Sequence, residues 1–291
     1  GRPNAGKSTL MNAIVGEKLA AVSHKAQTTW QRISGIRTEE SAQAVFVDTP
    51  GLLEVRDLHQ RAMLGSAFEA LRDADLVLVL VDGSTLPGAL PESLIRAAME
   101  EVAAGVPVMG LLTKSDLIDE DEEEAARIQH LGEIYQIPFQ PISASTGRGI
   151  DELWRRVVEL LPASPWYFPE TDVATQPVRF FVEELIRETV FELYDDEIPW
   201  AVVPRIEEFR EGSDPLYLLV HLHVERKSQK GIVLGRGGHA IREMGVQARR
   251  KIEALVGRRV YLDLWVKVLP GWRRKRGVLA RFGYPVPDEA E

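Results

Sequence analysis

No cysteine occurs among the 291 residues, which excludes disulfides, thiolate nucleophiles and zinc–thiolate centres. That absence fits a reducing compartment without requiring one. Long apolar runs are missing too: none approaches the roughly 18 residues that a membrane-crossing helix needs. There is no overall excess of positive charge, the formal net charge being −9. That total hides a division. Residues 1–165 carry 15 Lys/Arg against 24 Asp/Glu, whereas residues 166–291 carry 20 of each. Between Arg226 and Arg281 there are 16 basic residues and three acids, Glu243, Glu253 and Asp263. A basic stripe of this kind suits a polyanion, because neutralising phosphates releases counterions, although a merely solvated basic surface would look the same. With 45% hydrophobic and 27% charged residues, the chain is long enough for two domains with separate cores.

What is present begins at the first residue. Gly1, Gly6, Lys7 and Ser8 in GRPNAGKST satisfy G-x-x-x-x-G-K-[ST], a phosphate-binding loop. Glycines let successive N–H groups converge on phosphate oxygens, Lys7 brings a point charge to the β/γ phosphates, and the Ser8 hydroxyl can join Mg²⁺. The strand that ordinarily feeds such a loop is expected to lie upstream of this sequence, so a truncated first strand is expected in the nucleotide domain.

Over the first 160 residues apolar strand-like runs alternate with helical stretches, the pattern of an α/β domain with a mostly parallel sheet. Strands are expected at Ala44 to Val47, Leu76 to Val81, Val106 to Leu112 and Phe139 to Ile142. Ligands in such folds bind at the carboxyl ends of strands. The loop after the first is DTPG, Asp48, Thr49, Pro50 and Gly51: an acid able to hold a Mg²⁺-bound water and a glycine whose N–H can face a γ-phosphate. The loop after the third is TKSD, Thr113, Lys114, Ser115 and Asp116, and the fourth ends in SAS, Ser143, Ala144 and Ser145. A carboxylate matches the paired N1–H and N2–H donors of guanine and repels adenine, and the Lys114 stem can cover the base plane. An ATPase or kinase is thereby disfavoured. The acidic run Glu120 to Glu124 reads as a solvated helix start.

A proline-rich stretch, Pro162 to Pro169, reads as a semi-rigid linker. Beyond it a helix with one apolar stripe starts near Phe181, followed by strands at Trp200 to Phe209 and Leu216 to Val224. His221 and His223 share one strand face; without a third ligand the pair reads as exposed rather than metal-binding. GRGG, Gly235, Arg236, Gly237 and Gly238, forms a G-x-x-G loop between two helices, with Val260 to Val268 as the last strand. Glycines there allow close approach to nucleic-acid phosphates. The helix-strand-strand-helix-helix-strand order resembles a type II KH domain.

The whole chain resembles the Era family of bacterial GTPases, on GRPNAGKS, AQTT, DTPGL, YFPE before QPVRF, ERKSQKGIVLGRGG and VKVLPGWRRKRGVLARFGY. The resemblance implies a P-loop GTPase domain at 1–162, a linker at 163–178, a smaller α+β KH domain at 179–270 and a basic tail at 271–291. It implies a GTP-binding and GTP-hydrolysing switch that binds the 3′ end of small-subunit ribosomal RNA and acts in small-subunit assembly in the cytoplasm, with peripheral contact to anionic membrane as a lesser partner for the basic tail. Nucleotide contacts fall on Gly1, Arg2, Pro3, Asn4, Ala5, Gly6, Lys7, Ser8 and Thr9, on Asp48 to Leu52, on Thr113 to Asp116, and on Ser143 and Ala144. Ser8, Thr29 and Asp48 are the implied Mg²⁺ residues, Thr29 as the switch threonine. Asn4, Lys7, Thr29 and Gly51 carry catalysis, Asn4 by binding a K⁺ ion that serves as an arginine finger, or else simply stabilising a turn. Lys230, Arg236, Arg242 and the loop glycines contact RNA. Three departures stand out. Thr113 replaces the usual Asn, Leu52 replaces the water-orienting Gln of Ras-like proteins, and Trp30 follows Thr29 where relatives often carry Arg. Leu52 leaves open the alternative of an RNA-binding module that uses guanine nucleotide only as a structural ligand.

Overall fold

The computed structural model describes residues 1–23, 25–39, 41–85, 92–284 and 286. Two compact units emerge. The first comprises described residues of 1–20 and 29–175, and the second those of 21–28 and 176–284. The strand-like reading of the first half holds, with one addition. Helix α1 (Lys7–Val15) is followed by a hairpin of β1 (Ile33–Glu39) and β2 (Ala42–Asp48). The antiparallel partner β1 was not anticipated, because ISGIRTE carries little apolar alternation. Then come α2 (Leu58–Arg72), β3 (Val77–Asp82), α3 (Glu92–Glu100), β4 (Val108–Thr113), α4 (Asp121–Tyr135), β5 (Phe139–Pro141) and α5 (Ile150–Leu160).

Strands β3, β4 and β5 pair in parallel, in that order. Side chains of β3 and β4 and those of β2, α1 and α5 form one core that includes Leu10, Ile14, Ala44, Leu80, Leu111 and Leu153. Strands β2 and β3 are not hydrogen-bonded to each other. A cavity of about 990 Å³ lies there, its walls including Leu10, Ala44, Phe46, Leu78, Leu80 and Val157. Parallel strands end together, so Asp48, Asp82, Thr113 and Ile142 bring their following loops to one edge.

The expected linker is a correction. Tyr167 and Phe168 donate their backbone N–H groups to Gln43 Oε1 at 3.0 Å, and Gln43 Nε2 donates to the Phe168 carbonyl at 2.9 Å. Ile36 N–H donates to the Val173 carbonyl at 2.9 Å. The segment is therefore clamped along β1 and β2 rather than spanning solvent, because one glutamine amide satisfies three backbone groups at once.

The second unit begins with α6 (Val178–Leu193) and a short α7 (Ile198–Ala201). Helix α7 takes the first residues of what the sequence suggested was strand. Strands β6 (Val203–Arg210) and β7 (Leu216–Val224) pair antiparallel, α8 (Lys227–Leu234) and α9 (His239–Val256) follow, and β8 (Val260–Val268) pairs parallel with β7. Alternation in β7 is complete: Leu216, Leu218, Val220, Leu222 and Val224 are all buried, facing α6, α8 and α9. Burying each contributes on the order of 2 kcal/mol, which fixes the register, since a one-residue slip would expose all five. The tail is a second correction. Helix α10 (Arg276–Arg281) is short and basic, but Trp272, Leu279, Phe282 and Tyr284 are buried, so residues to 284 are part of this unit's packing. No helix among the described residues is long and apolar enough to cross a membrane.

Candidate functional site

The phosphate loop turns through Asn4 at φ 65° and Gly6 at φ 82°, left-handed conformations that an amide side chain and a glycine tolerate best. Asn4 thus has a backbone reason for its identity, whether or not its side chain also meets a cation. Ala5 is buried, and α1 starts at Lys7 with its free N–H groups and its positive dipole end directed into the loop. Lys7 Nζ donates to the Arg2 carbonyl at 2.7 Å. Desolvation lowers the pKa of its ammonium, with the Asp48 carboxylate opposing.

Three oxygens converge beside it. Ser8 Oγ donates to Asp48 Oδ2 at 2.6 Å and lies 2.9 Å from Thr29 Oγ1, which is 3.1 Å from the same carboxylate oxygen. Mg²⁺ demands octahedral oxygen ligands at 2.0–2.1 Å, whose adjacent members stand about 3 Å apart. The donor set fits that ion in both hardness and spacing. Thr29 and Asp48 are buried, which holds them in place. On the opposite wall, Leu52 N–H donates to the Gly1 carbonyl at 3.1 Å, and a Cβ on Gly51 would lie 2.5 Å from Pro3 N. Only glycine allows DTPG to come this close to the phosphate loop.

The base-recognition loops are braced from behind. Thr113 is buried and its hydroxyl reaches the carbonyls of Ala5 at 2.8 Å and Val81 at 3.1 Å. Threonine in place of asparagine thereby keeps a tie between this loop and the phosphate loop. Lys114, at φ 56°, pairs with Asp82 at 2.5 Å. Burial raises the Asp82 pKa, but Lys114 and Ser84 outweigh it and leave the carboxyl below its ordinary value. Asp116 is exposed, and the hydroxyls of Ser143 and Ser145 hold its pKa down, the latter at 3.2 Å. A permanently ionised acceptor is what paired guanine donors require.

Two residues of this site escaped the sequence reading. Glu124, within the acidic run taken as solvated, is buried and accepts both guanidinium nitrogens of Arg148 at 2.8 Å. Arg148 in turn reaches Ser115 Oγ at 3.4 Å. The pair locks the SAS loop to the TKSD loop. Trp30 is likewise accounted for: it is buried edge-on to His59 at 4.9 Å, an anchor immediately after Thr29.

In the second unit, the GRGG loop joins α8 to α9. A Cβ on Gly235 would lie 2.6 Å from that of Ala240, and its φ is 68°. Gly237 and Gly238, at φ 62° and 77°, have open space around their Cα atoms. Gly235 is a packing requirement, whereas the next two present bare backbone. Arg236 and Arg242 are exposed and Lys230 is half-buried. Such a loop can take phosphates against N–H groups with cations on the flanks.

Comparison with known proteins gives a consistent result. Residues 1–114 match the family described as 50S ribosome-binding GTPase, and residues 221–273 match the KH domain. The chain is 39% identical over 288 residues to GTPase Era of Geotalea daltonii, covering 98% of this chain and 95% of that protein. Among solved structures it superposes with a TM-score of 0.93 on Era in complex with MgGDPNP and nucleotides 1506–1542 of 16S ribosomal RNA, at 32% identity over 98% of this chain and 96% of that one. An Aquifex aeolicus Era variant bound to GDP.AlF4⁻ gives a TM-score of 0.92 at the same identity, covering 98% and 97%.

Proposed function

The chain belongs to the Era family of GTPases, and from that premise we propose that it is a guanine-nucleotide switch whose second unit grips the 3′ end of small-subunit ribosomal RNA during small-subunit assembly. Its enzymatic reaction is hydrolysis of GTP to GDP and phosphate. The observation that carries the reading is the meeting of Ser8, Thr29 and Asp48 oxygens within 3.1 Å of one another beside the start of α1.

Lys7 and the N–H groups at the start of α1 bind the β and γ phosphates, and Asp116 accepts the guanine N1–H and N2–H. Mg²⁺, held by Ser8 and Thr29 with Asp48, neutralises charge on the phosphate oxygens when bound. Gly51 N–H donates to the γ-phosphate. Water attacks the γ-phosphorus as the bond to the β–γ bridging oxygen breaks. Leu52 cannot orient that water, so turnover is slow and is stimulated by K⁺ at Asn4 or by RNA. Equal GTP turnover in potassium and sodium buffers would remove the role of Asn4.

Exposed backbone at Gly237 and Gly238, with Lys230, Arg236 and Arg242, receives the RNA. A ribosomal RNA partner implies a cytoplasmic setting. Support for coupling comes from the segment 21–28. Lys25 Nζ donates to the carbonyls of Phe191, at 2.8 Å, and Tyr194 and pairs with Asp195, Arg187 donates to the Thr28 carbonyl, and Trp200 Nε1 donates to the Ala26 carbonyl at 3.0 Å. Thr28 is thus fastened to α6, and the next residue is Thr29. Ordering Thr29 on the γ-phosphate side therefore biases how that segment is held.

Calorimetry of the full chain with a 3′-end oligoribonucleotide should give different affinities in the nucleotide-free, GDP and non-hydrolysable GTP states. Identical affinities would refute the switch. The second reading, guanine nucleotide as a structural ligand only, draws on Leu52; single-turnover hydrolysis that stays at the uncatalysed rate with and without RNA would favour it.

A further inference from the structure

His221 and His223 lack a third ligand in the sequence, but the fold supplies one. Both project from the face of β7 opposite the core, two residues apart. Strand β6 runs antiparallel beside them, with Val203 opposite His223 and Arg205 opposite His221. Its register shifts between Ile206 and Glu208, leaving Glu207 with no opposite residue in the ladder. A bulge of this kind re-aims a side chain, and here the Glu207 carboxylate comes 3.0 Å from His221 Nδ1. One donor atom from each of Glu207, His221 and His223 lies within 4.8 Å of the other two.

We infer that Glu207, His221 and His223 form a binding site for a borderline transition-metal dication of the Zn²⁺ type on the face of the second unit's sheet opposite its core. Nothing in the nucleotide or RNA reading uses these residues.

Three further features support the assignment. His223 Nδ1 is buried and has no hydrogen-bond partner among the described residues, so a metal would satisfy an atom that is otherwise costly to bury. Two imidazoles with one carboxylate make the His₂Glu donor set of open zinc sites, which leaves a fourth position for water. The ring of His223 is further fixed by Phe282 at 5.1 Å between centroids.

The donor atoms, rather than the surrounding charges, set the selectivity, since those charges act alike on every dication. Arg205 and Arg281 both act on His223. Arg205 is paired with Glu183, which offsets its charge. Mg²⁺ and Ca²⁺, hard cations, prefer shells of oxygen alone. Imidazole nitrogen, by contrast, selects Zn²⁺, Ni²⁺ or Cu²⁺.

The test uses the full chain, free of any affinity tag and saturated with Mg²⁺ and GDP so that the nucleotide site is filled. Titration calorimetry with zinc chloride should give one ion per chain. Cobalt chloride should give visible ligand-field bands of a nitrogen-containing, low-symmetry site. Glu207→Gln and His221→Gln, both on the face opposite the core, should each weaken zinc binding by more than ~100-fold, since even outer-shell partners account for 10–100-fold. His130→Ala, an exposed histidine elsewhere, should leave the titration unchanged. Absence of a stoichiometric zinc isotherm overturns the proposal, as does an isotherm that survives both substitutions.

Discussion

The first unit buries hydroxyls and carboxylates at the ends of its strands, whereas the second buries hydrocarbon behind its sheet and leaves its loop glycines bare. Thr29, Asp48, Thr113, Ser115 and Ser143 are all buried in the one, each tied to another loop. In the other, seventeen buried apolar residues form a single cluster from α6 to β8. The difference separates two ways of meeting phosphate. A nucleotide site has to hold several loops in register against a small ligand, and hydrogen bonds fix their relative positions. A surface for a long polyanion needs only a rigid platform with accessible backbone, and apolar packing provides that.

Substitutions can break or sharpen the contrast. The largest expected effect lies in the second unit, at a fully buried cation: Arg187 donates to both carboxylate oxygens of Glu184 and to Thr28. Arg187→Ala should cost about 3–5 kcal/mol of that unit's stability in denaturant unfolding, because it leaves Glu184 buried without its partner. A loss below 1 kcal/mol would mean that the apolar cluster alone holds the platform. Next, Lys7→Ala should weaken GTP binding by about 100-fold, some 3 kcal/mol, measured with a fluorescent analogue. RNA affinity without nucleotide should stay within a few tenths of a kcal/mol, as expected for sites in separate units.

Replacing Gly237 and Gly238 together with Asp should lower RNA affinity by about tenfold or more, since positive φ costs an L-residue about 1–2 kcal/mol and the carboxylates repel phosphate. A matching fall in GDP affinity would break the separation. Thr113→Val removes a buried hydroxyl tie and should cost about 1 kcal/mol in GDP affinity. Thr113→Asn should recover it if the tie to the Ala5 carbonyl is what matters.

The smallest effect is an alkaline one. Burial pushes the tyrosine hydroxyls of Tyr194 and Tyr284, both in the second unit, up to about 12. Below pH 10 both are protonated in folded and unfolded chains alike. Between pH 10 and 12 the unfolded chain releases their protons first, so the second unit loses stability as pH rises. Tyr284→Phe should flatten that slope in thermal melts followed from pH 9 to 11.5.

Much of this was legible in the chain because it is local. GRPNAGKST, DTPG, TKSD and GRGG are contiguous, and each places its functional groups within one turn. Alternation in LYLLVHLHV marks β7 and its buried face directly. Pairings across long sequence distances were not legible. Glu124 and Arg148 are 24 residues apart, and no local period distinguishes a bracing glutamate from its solvated neighbours. Gln43 clamps Phe168 from 125 residues away. Glu207 joins the two histidines through the pairing of β6 with β7, which no local pattern in either strand announces. Trp30 lacked an explanation until His59, on α2, came to lie against it.

Strand β2 carries at its beginning the Gln43 amide that clamps residues 167–168, and at its end the Asp48 carboxylate that holds Ser8 and Thr29. Five residue steps of extended chain separate the two, about 17 Å of backbone that cannot shorten without breaking its ladder with β1. The carboxylate and the tyrosine–phenylalanine clamp thus sit at the two ends of one extended element, with no turn or bulge between them.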